Sequence, residues 1–434
     1  MKNKKKIEHW LNIRKKKLYF SVKEKNISKL KKWILNSRKI YHISGKFFQI
    51  LGVRITSNFH KKREWDQPLI YQNEKGILGI LSRKSKKGVE YLLQAKMEPG
   101  NINKLQLSPT VQATKSNYSR VHKGKKVKYL NFFKNIKKNQ IILNSLQSEQ
   151  GGRYLFKYNH NIIINTDKRI DPNPNYIWVN KFDLNEIVNK NNLLNMDSIS
   201  VFSCAIRNNL YDFPNHSIKK IYFWFNKLKK KNYLKRKVIS LSKLNNWNYN
   251  KKNIFHKSKK IYSIIGLKVK TSAREISEWE QPIIKEMSLG LSGFIVKKIN
   301  FTYHYLVRFS LKPGLKKPGL TCTVQTSDFK SVLKKNNYTN LKDNLLMKYY
   351  LKRYFIDNKK SRILYNKIQS DEGGRFFHSQ RKNIIVEVGE SEKIRLNPNY
   401  IWMSHNQIVH FIQKGIFNIE ARILFASFNL KNIL

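Results

Sequence analysis

The chain has 434 residues, of which 40% are hydrophobic and 12% aromatic. A chain of that length usually has more than one hydrophobic core, so two domains are expected. The apolar content excludes an intrinsically disordered chain. The formal net charge of +60 leaves two interpretations open: a basic surface that binds nucleic acid, or general enrichment in residues with A/T-rich codons. Lysines are scattered through both halves, which favours the second interpretation and makes nucleic acid an unfavoured partner.

The two cysteines, Cys204 and Cys322, cannot form a disulfide framework and lack the spacing of metal ligands. No apolar run reaches the roughly 20 residues that span a membrane, and no signal-peptide core follows the basic N-terminus. These features predict a cytoplasmic protein with no membrane partner and no metal site.

Residues 1–35 are predicted to be a helical lead-in, because Leu30, Trp33 and Ile34 fall on one face at helical spacing. Two copies of one unit follow. Matching residues keep one constant separation over more than fifty positions, pairing Phe48 with Tyr262, Trp65 with Trp279 and Gly100 with Gly314. Such self-similarity predicts a tandem repeat.

Each copy is predicted to be an α+β module, in which hairpin-forming apolar strands are followed by one or two capped helices. The predicted division is 1–35 for the lead-in, 36–206 for the first repeat, 207–245 for a basic connecting segment and 246–434 for the second repeat. Aromatic residues at 222–225 predict that the connection contains a packed helix.

Two polar motifs occur in both copies. Trp65 and Gln67 match Trp279 and Gln281, a pattern that predicts either a base- or sugar-binding turn or a structural corner. The Gly-Gly turns beside Glu149 and Arg153, and beside Glu372 and Arg375, predict either phosphate capture or an ordinary hairpin turn. The motif that ends at Trp402 adds Tyr400 to the second copy.

Two further stretches are fuller in the first copy. Strand alternation places Gln94, Lys96 and Glu98 on one face, which indicates an acid–base site or, alternatively, an exposed ion pair. The polar segment from residue 108 to 122 is either a phosphate-binding and proton-transferring loop or a surface loop. Its candidates are Thr110, Gln112, Thr114, Asn117, Tyr118, Arg120 and His122, and the second copy clearly keeps only Thr323–Thr326, which includes Gln325.

These segments together resemble the NDP-hexose 2,3-dehydratases, in that family's order and at about its spacing. The matching segments are Arg63–Ile70, Gly76–Gly79, Gln94–Asn101, Leu107–Tyr118, Gln147–Gly151, Glu280–Ile284, Asp371–Phe376 and Asn418–Arg422. The resemblance implies a tandem duplication of two Nudix-related mixed-sheet modules, a homodimer, and a metal-independent lyase without a cofactor. It also implies a nucleotide-sugar substrate, typically dTDP-4-keto-6-deoxyglucose, and a downstream 3-ketoreductase as pathway partner.

The resemblance implies that the first repeat is catalytic, with Glu98 as base, Lys96 as enolate donor, and Tyr118 or His122 as acid. Substrate would be held by Trp65, Gln67, Gln94, Thr110, Gln112, Thr114, Asn117, Arg120, Glu149 and Arg153. A second-repeat pocket would comprise Trp279, Gln281, Gln325, Glu372, Arg375 and Tyr400. The alternatives are a nucleic-acid-binding protein on the same scaffold and an inactive, decayed paralogue.

Overall fold

The fold is built twice from equivalent elements. The computed structural model describes residues 2–59, 62–86, 88–114, 116, 125–168, 170–329 and 345–433. Its α-helices are α1 (Lys2–Lys17), α2 (Leu130–Lys134), α3 (Lys181–Val188), α4 (Met196–Ser203), α5 (Ile218–Lys231), α6 (Leu345–Tyr350), α7 (His405–Gln413) and α8 (Ile419–Asn429). Among the described residues, no helix is long and apolar enough to cross a membrane.

The strands of the first half and of the second half follow the same order. The first half contains β1 (Phe20–Lys25), β2 (Trp33–Leu35), β3 (Lys39–His42), β4 (Gln49–Ser57), β5 (Arg63–Tyr71), β6 (Gly76–Ser85), β7 (Gly88–Met97), β8 (Leu105–Ser108), β9 (Val111–Ala113), β10 (Ile141–Ser148), β11 (Tyr154–Leu155), β12 (Tyr158–Asn165) and β13 (Tyr176–Asn180). The second half contains β14 (Leu234–Ile239), β15 (Trp247–Tyr249), β16 (Ile254–His256), β17 (Tyr262–Thr271), β18 (Glu278–Glu286), β19 (Gly290–Ile299), β20 (Thr302–Ser310), β21 (Gly319–Thr321), β22 (Val324–Thr326), β23 (Ser361–Ser370), β24 (Phe376–Phe377), β25 (Gln380–Val388) and β26 (Tyr400–Ser404).

Each half has one large mixed sheet. In the first half the order is β10-β12-β6-β7-β13, with β8 beside β7 and β9 beside β6. The second half repeats it as β23-β25-β19-β20, with β21 and β26 beside β20 and β22 beside β19. In both sheets one central pair is parallel, β12 with β6 and β25 with β19, and the other pairs are antiparallel. The prediction of an α+β fold made of two mixed-sheet units is confirmed.

Each of the two smaller sheets contains one strand from the opposite half. Strand β14 pairs with β4 in the sheet β11-β5-β4-β3-β2, whereas β1 pairs with β17 in the sheet β15-β16-β17-β18-β24. Val22 thus faces Val269, and Val238 faces Val53. One apolar core joins both small sheets, so each half completes the other.

Loops also join the halves. The Gly100 amide donates to the Gly373 carbonyl at 2.7 Å, and the Gly314 amide donates to the Gly151 carbonyl at 2.7 Å. A Cβ at Gly100 would overlap the backbone carbonyl of Phe376, so only glycine allows this approach. Each Pro-Gly loop therefore contacts the Gly-Gly turn of the opposite half.

Several helix predictions are confirmed. The side chains of Asn195 and Asn418 cap α4 and α8, and Ser404 forms a capping box with Gln407 at α7. The predicted connecting helix is α5, which buries Ile221, Phe225 and Leu228.

Two local predictions are wrong. Helix α1 ends at Lys17, and Trp33 and Ile34 lie in β2, because the chain after α1 is recruited into the small sheets. The Trp-x-Gln motifs lie within strands β5 and β18 rather than in turns, since both strands pair along their length with a neighbour. The boundaries drawn at residues 35, 206 and 245 stay predictions.

Candidate active site

A cavity of about 640 Å³ lies where the halves meet. The first half contributes, among others, Trp33, His42, Phe48, Lys96, Glu98, Gln112, Thr114, Tyr154, Lys157, Asn159 and Asp197. The second half contributes, among others, Arg274, Trp279, Gln281, Glu372, Gly374 and Arg375. Because both halves line it, this cavity differs from the predicted arrangement of one pocket in each repeat.

Lys96 and Glu98 form a buried ion pair on its floor. Lys96 lies near the end of β7 and Glu98 just beyond it, with relative exposures of 6% and 3%. The Lys96 Nζ is 3.3 Å from Glu98 Oε1, which also accepts a hydrogen bond from Gln112 Nε2 at 3.3 Å. The alternative of an exposed ion pair is therefore wrong.

The other carboxylate oxygen of this pair is available for chemistry. Glu98 Oε2 is buried and has no hydrogen-bond partner among the described residues. A buried carboxylate oxygen without a donor is costly unless a ligand uses it. Burial lowers the pKa of Lys96, and the charge of Glu98 opposes that shift. The pair thus offers an acceptor and a donor side by side.

The opposite wall comes from β18 and the Gly-Gly turn of the second half. Trp279 Nε1 donates to Gln281 Oε1 at 2.8 Å, and Gln281 Nε2 donates to the Gly374 carbonyl at 2.8 Å. The Arg375 guanidinium stacks 4.2 Å from the centre of the Phe48 ring, which belongs to the first half. These contacts hold the turn against the cavity.

Arg274 adds a cation that no sequence motif pointed to. Its Nη1 lies 3.7 Å from Glu98 Oε1 and donates to the Met97 carbonyl at 3.4 Å. It lies between β17 and β18, in a segment without a repeated motif. Only the folded arrangement brings this arginine to the Lys96–Glu98 pair.

A polar cluster extends from the lining residues Lys157, Asn159 and Asp197 to Glu149. Asn159 donates to Glu149 at 2.7 Å, and burial together with the charge of Glu372 raises the pKa of Glu149 to about 7. Burial likewise raises the pKa of Asp197 well above its ordinary value, and lowers the pKa of Lys157 to about 8. The fully buried Arg422, whose guanidinium donates to the Ser148 carbonyl at 3.0 Å, offsets these acidic groups.

Comparison with known proteins decides the family. The family model described as NDP-hexose 2,3-dehydratase matches residues 4–205 and 218–428. Three relatives are each named dTDP-4-dehydro-6-deoxy-alpha-D-glucopyranose 2,3-dehydratase: from Saccharopolyspora spinosa, 30% identical over 96% of this chain and 90% of the relative; from Amycolatopsis orientalis, 31% over 98% and 89%; and from Streptomyces violaceoruber, 32% over 90% and 88%.

The chain belongs to the NDP-hexose 2,3-dehydratase family. The resemblance predicted from the motifs is thereby confirmed, as is the expectation of a lyase at the level of the family. Among solved structures, an Ap4A hydrolase from C. elegans matches 31% of this chain and 91% of its own length at 11% identity and a TM-score of 0.20. That likeness carries no argument, and the Nudix relationship stays a prediction.

Three predicted substrate-binding residues of this dehydratase-family chain lie away from the cavity. Arg153 pairs with Glu286 at 2.6 Å, and Gln67, which accepts from Trp65 at 2.9 Å, donates to the Gly152 carbonyl at 3.0 Å. The structure does not bring these three residues to Lys96 and Glu98, because each Gly-Gly-Arg turn contacts the Pro-Gly loop of the opposite half; their binding role stays a prediction.

The position equivalent to the Lys96–Glu98 pair carries different residues in the other half. Lys312 stands where Glu98 stands in the first copy, and burial lowers the pKa of Lys312 to about 8. The Arg236 guanidinium donates to the carbonyls of Lys312, Pro313 and Leu315, and these hydrogen bonds hold the loop in place. Lys312 therefore replaces Glu98 there, and the charge of Glu420 opposes the lowering of its pKa.

Thr110 supports the sheet and does not line the cavity. Its hydroxyl accepts from the Leu81 amide at 2.9 Å and donates to the Leu92 carbonyl. Thr323 repeats the arrangement in the second half, accepting from the Ile295 amide at 3.0 Å. Thr110 is fully buried and its hydroxyl bonds within the sheet, which indicates a structural role rather than the predicted phosphate contact.

The remaining predicted residues divide in three ways. Gln112 and Thr114 line the cavity, whereas Gln94 is half-buried outside it. Gln325 accepts from Thr321 at 2.8 Å, and Tyr400 packs edge-on against Tyr350. Neither lines the cavity that contains Trp279, and their binding role stays a prediction. Four others lie outside the described residues: Asn117, Tyr118, Arg120 and His122.

Proposed function

We propose that this chain removes water across C2 and C3 of a nucleotide-linked 4-keto-6-deoxyhexose, with dTDP as the nucleotide carrier. The observation that supports the proposal is the buried Lys96–Glu98 pair in a cavity built from both halves. Membership of the 2,3-dehydratase family supplies the reaction class. The three curated relatives supply the substrate, since their names specify the dTDP-linked 4-dehydro-6-deoxy sugar.

The proposed chemistry begins at C3. The 4-keto group acidifies the C3 hydrogen, which the free Oε2 of Glu98 removes as general base. The electron pair moves to O4, where the Lys96 ammonium stabilises the enolate. When the carbonyl reforms, the C2 hydroxyl leaves as water, and the resulting enol tautomerises to a 3,4-diketo-2,6-dideoxy sugar.

The proposed binding of the nucleotide uses the opposite wall. Arg274 and Arg375 supply guanidinium groups suited to the two phosphates. Trp33 lines the cavity beside them, and Phe48 holds the Arg375 guanidinium against its ring. Gln112 orients Glu98 through its hydrogen bond.

The proposal includes a cytoplasmic homodimer that works with a 3-ketoreductase, because a vicinal diketone is reactive and calls for prompt reduction. It also retains the Nudix relationship of the two halves. These parts rest on the family resemblance and the chemistry of the product.

The test is to incubate the purified chain with dTDP-4-keto-6-deoxyglucose, NADPH and a 3-ketoreductase, and to identify the nucleotide sugars by mass spectrometry and NMR. The expected product lacks the C2 hydroxyl. A folded protein that leaves the substrate unchanged would refute the dehydration proposal, and a Gly389→Ala variant, altered at an open surface position, serves as the preparation control.

A further inference from the structure

A second carboxyl group lies close to Glu98, contributed by the other half. A Cβ placed on Gly374 would lie 2.5 Å from Glu372 Oε1 and 3.5 Å from Glu98 Oε1. Those two oxygens are therefore at most about 6 Å apart. Both carboxyl groups line the cavity, so a sugar ring that contacts one is within reach of the other.

The first half orients this second carboxyl group. Tyr154 Oη donates to Glu372 Oε2 at 2.6 Å, which leaves Oε1 directed toward Gly374 and the cavity. Burial raises the pKa of Glu372, Arg375 opposes the shift, and the charge of Glu98 adds to it. A raised pKa favours the protonated form of Glu372, which is the form that a general acid needs.

We propose that Glu372 is the general acid that protonates the departing C2 hydroxyl, and that Tyr154 is a positioning residue for it. This inference rests on the proposed function and assigns the step that Tyr118 or His122 was expected to perform. The base thus comes from the first half and the acid from the second.

The step balances without an external reagent. Glu98 gains the C3 proton as the enolate forms. The O4 electron pair then restores the C4 carbonyl, the pair of the C3–C4 double bond forms the C2–C3 double bond, and the C2–O bond breaks. The oxygen leaves as water with the proton from Glu372. Tautomerisation moves one proton from O3 to C2, and a proton passing from Glu98 to Glu372 through solvent restores both groups.

The equivalent position supports the assignment. In the first copy Gln150 occupies the place of Glu372, and in the second copy Phe376 occupies the place of Tyr154. The acid and its tyrosine therefore occur together only in the cavity that holds Glu98. A merely structural turn would have no need of this difference.

The first experiment separates the two proton transfers. In D₂O, NMR follows two signals with the wild-type protein: deuterium entry at C3 of the remaining substrate, and formation of the dehydrated product. Glu372→Gln is expected to lower dehydration at least about 100-fold while deuterium still enters at C3. The matched control is Glu420→Gln, which alters a buried carboxyl group outside the cavity and should retain wild-type rates.

The second experiment removes the need for an acid. A substrate with fluorine in place of the C2 hydroxyl loses fluoride, which needs far less protonation to leave. The Glu372→Gln variant should release fluoride at nearly the wild-type rate, measured with a fluoride electrode. Equal losses on both substrates would overturn the acid role, as would unchanged dehydration of the normal substrate.

The third experiment tests the role of Tyr154. Its hydrogen bond lowers the pKa of Glu372, so Tyr154→Phe should move the alkaline limb of kcat/KM to higher pH. The other charged or titratable groups that act on this carboxyl are Lys96, Glu98, Glu149, Lys157, Asp197 and Arg375. If the alkaline limb of kcat/KM does not move in Tyr154→Phe, Tyr154 is not a positioning residue for Glu372. Wild-type protein without dehydration would instead refute the proposed function itself, which separates the two failures.

Discussion

Gly100 tests whether the two halves must interlock for activity. An alanine Cβ there would overlap the Phe376 carbonyl oxygen, and would lie 2.6 Å from its carbon and 2.8 Å from the Gly373 oxygen. All three atoms are backbone, so no flexible side chain can yield, and the loop itself must move. The movement would break the hydrogen bond from Gly100 to Gly373 at 2.7 Å and that from His378 to Gly100 at 2.9 Å.

The magnitude follows from those two hydrogen bonds. Each contributes about 1 kcal/mol, and more where a buried group is left unpaired, so Gly100→Ala should cost about 2 to 4 kcal/mol. The displaced loop also carries Glu98, and a shift of about 1 Å in a reacting group can cost roughly 100-fold in rate. We therefore expect lower stability and at least a tenfold loss in kcat.

Urea unfolding followed by tryptophan fluorescence, together with product formation, measures both effects. The control is Gly152→Ala, since a Cβ at that turn position meets nothing within 4 Å. That variant should stay within about 0.5 kcal/mol of wild type. If Gly100→Ala unfolds at the same urea concentration as the control and keeps its activity, the interlocked contact is not required.

Three further predictions concern single side chains. Glu98→Gln should lower kcat at least about 100-fold and abolish deuterium entry at C3, because the base itself is removed; continued exchange would contradict this role. Thr110→Val and Thr323→Val should each destabilise the chain by about 1 to 3 kcal/mol and leave KM unchanged. If Thr110→Val alone raises KM, Thr110 contacts the substrate phosphate after all. The pKa of Glu149 is about 7 in the folded chain, above its ordinary value of 4.5. The protonated carboxyl therefore stabilises the fold, and that contribution to the free energy of unfolding is lost as the pH rises from 4.5 to about 7. Glu149→Gln should therefore flatten the decline in the urea midpoint between pH 5 and 7, and an unchanged slope would contradict the shift.

The placement of Lys96 beside Glu98 could be predicted from sequence because strand alternation acts locally. Lys96 and Glu98 are two residues apart, so an extended backbone places them on one face without any tertiary information. Their burial was left open between a site and a surface ion pair. The folded chain decided it, since the wall that covers them comes from residues more than 170 positions away, such as Arg274.

The Gly-Gly-Arg turns show where local patterns fail. Both copies carry the same residues, and sequence alone assigned each to its own half. The fold instead places Arg375 in the cavity with Glu98, and pairs Arg153 with Glu286 at the other position. Exchange of β1 and β14 between the halves determines that geometry, and such long-range pairing leaves no periodic trace in the sequence.

By itself, the sequence determined the duplication, the α+β composition, the capped helices and the family, because repeats, strand alternation and capping residues are properties of neighbouring positions. Only the tertiary structure decided that one cavity serves both halves and that Thr110 supports the sheet. It also brought Glu372 and Tyr154 together beside Glu98. Those outcomes depend on contacts across some two hundred residues, where packing and backbone hydrogen bonds between the halves determine which side chains meet.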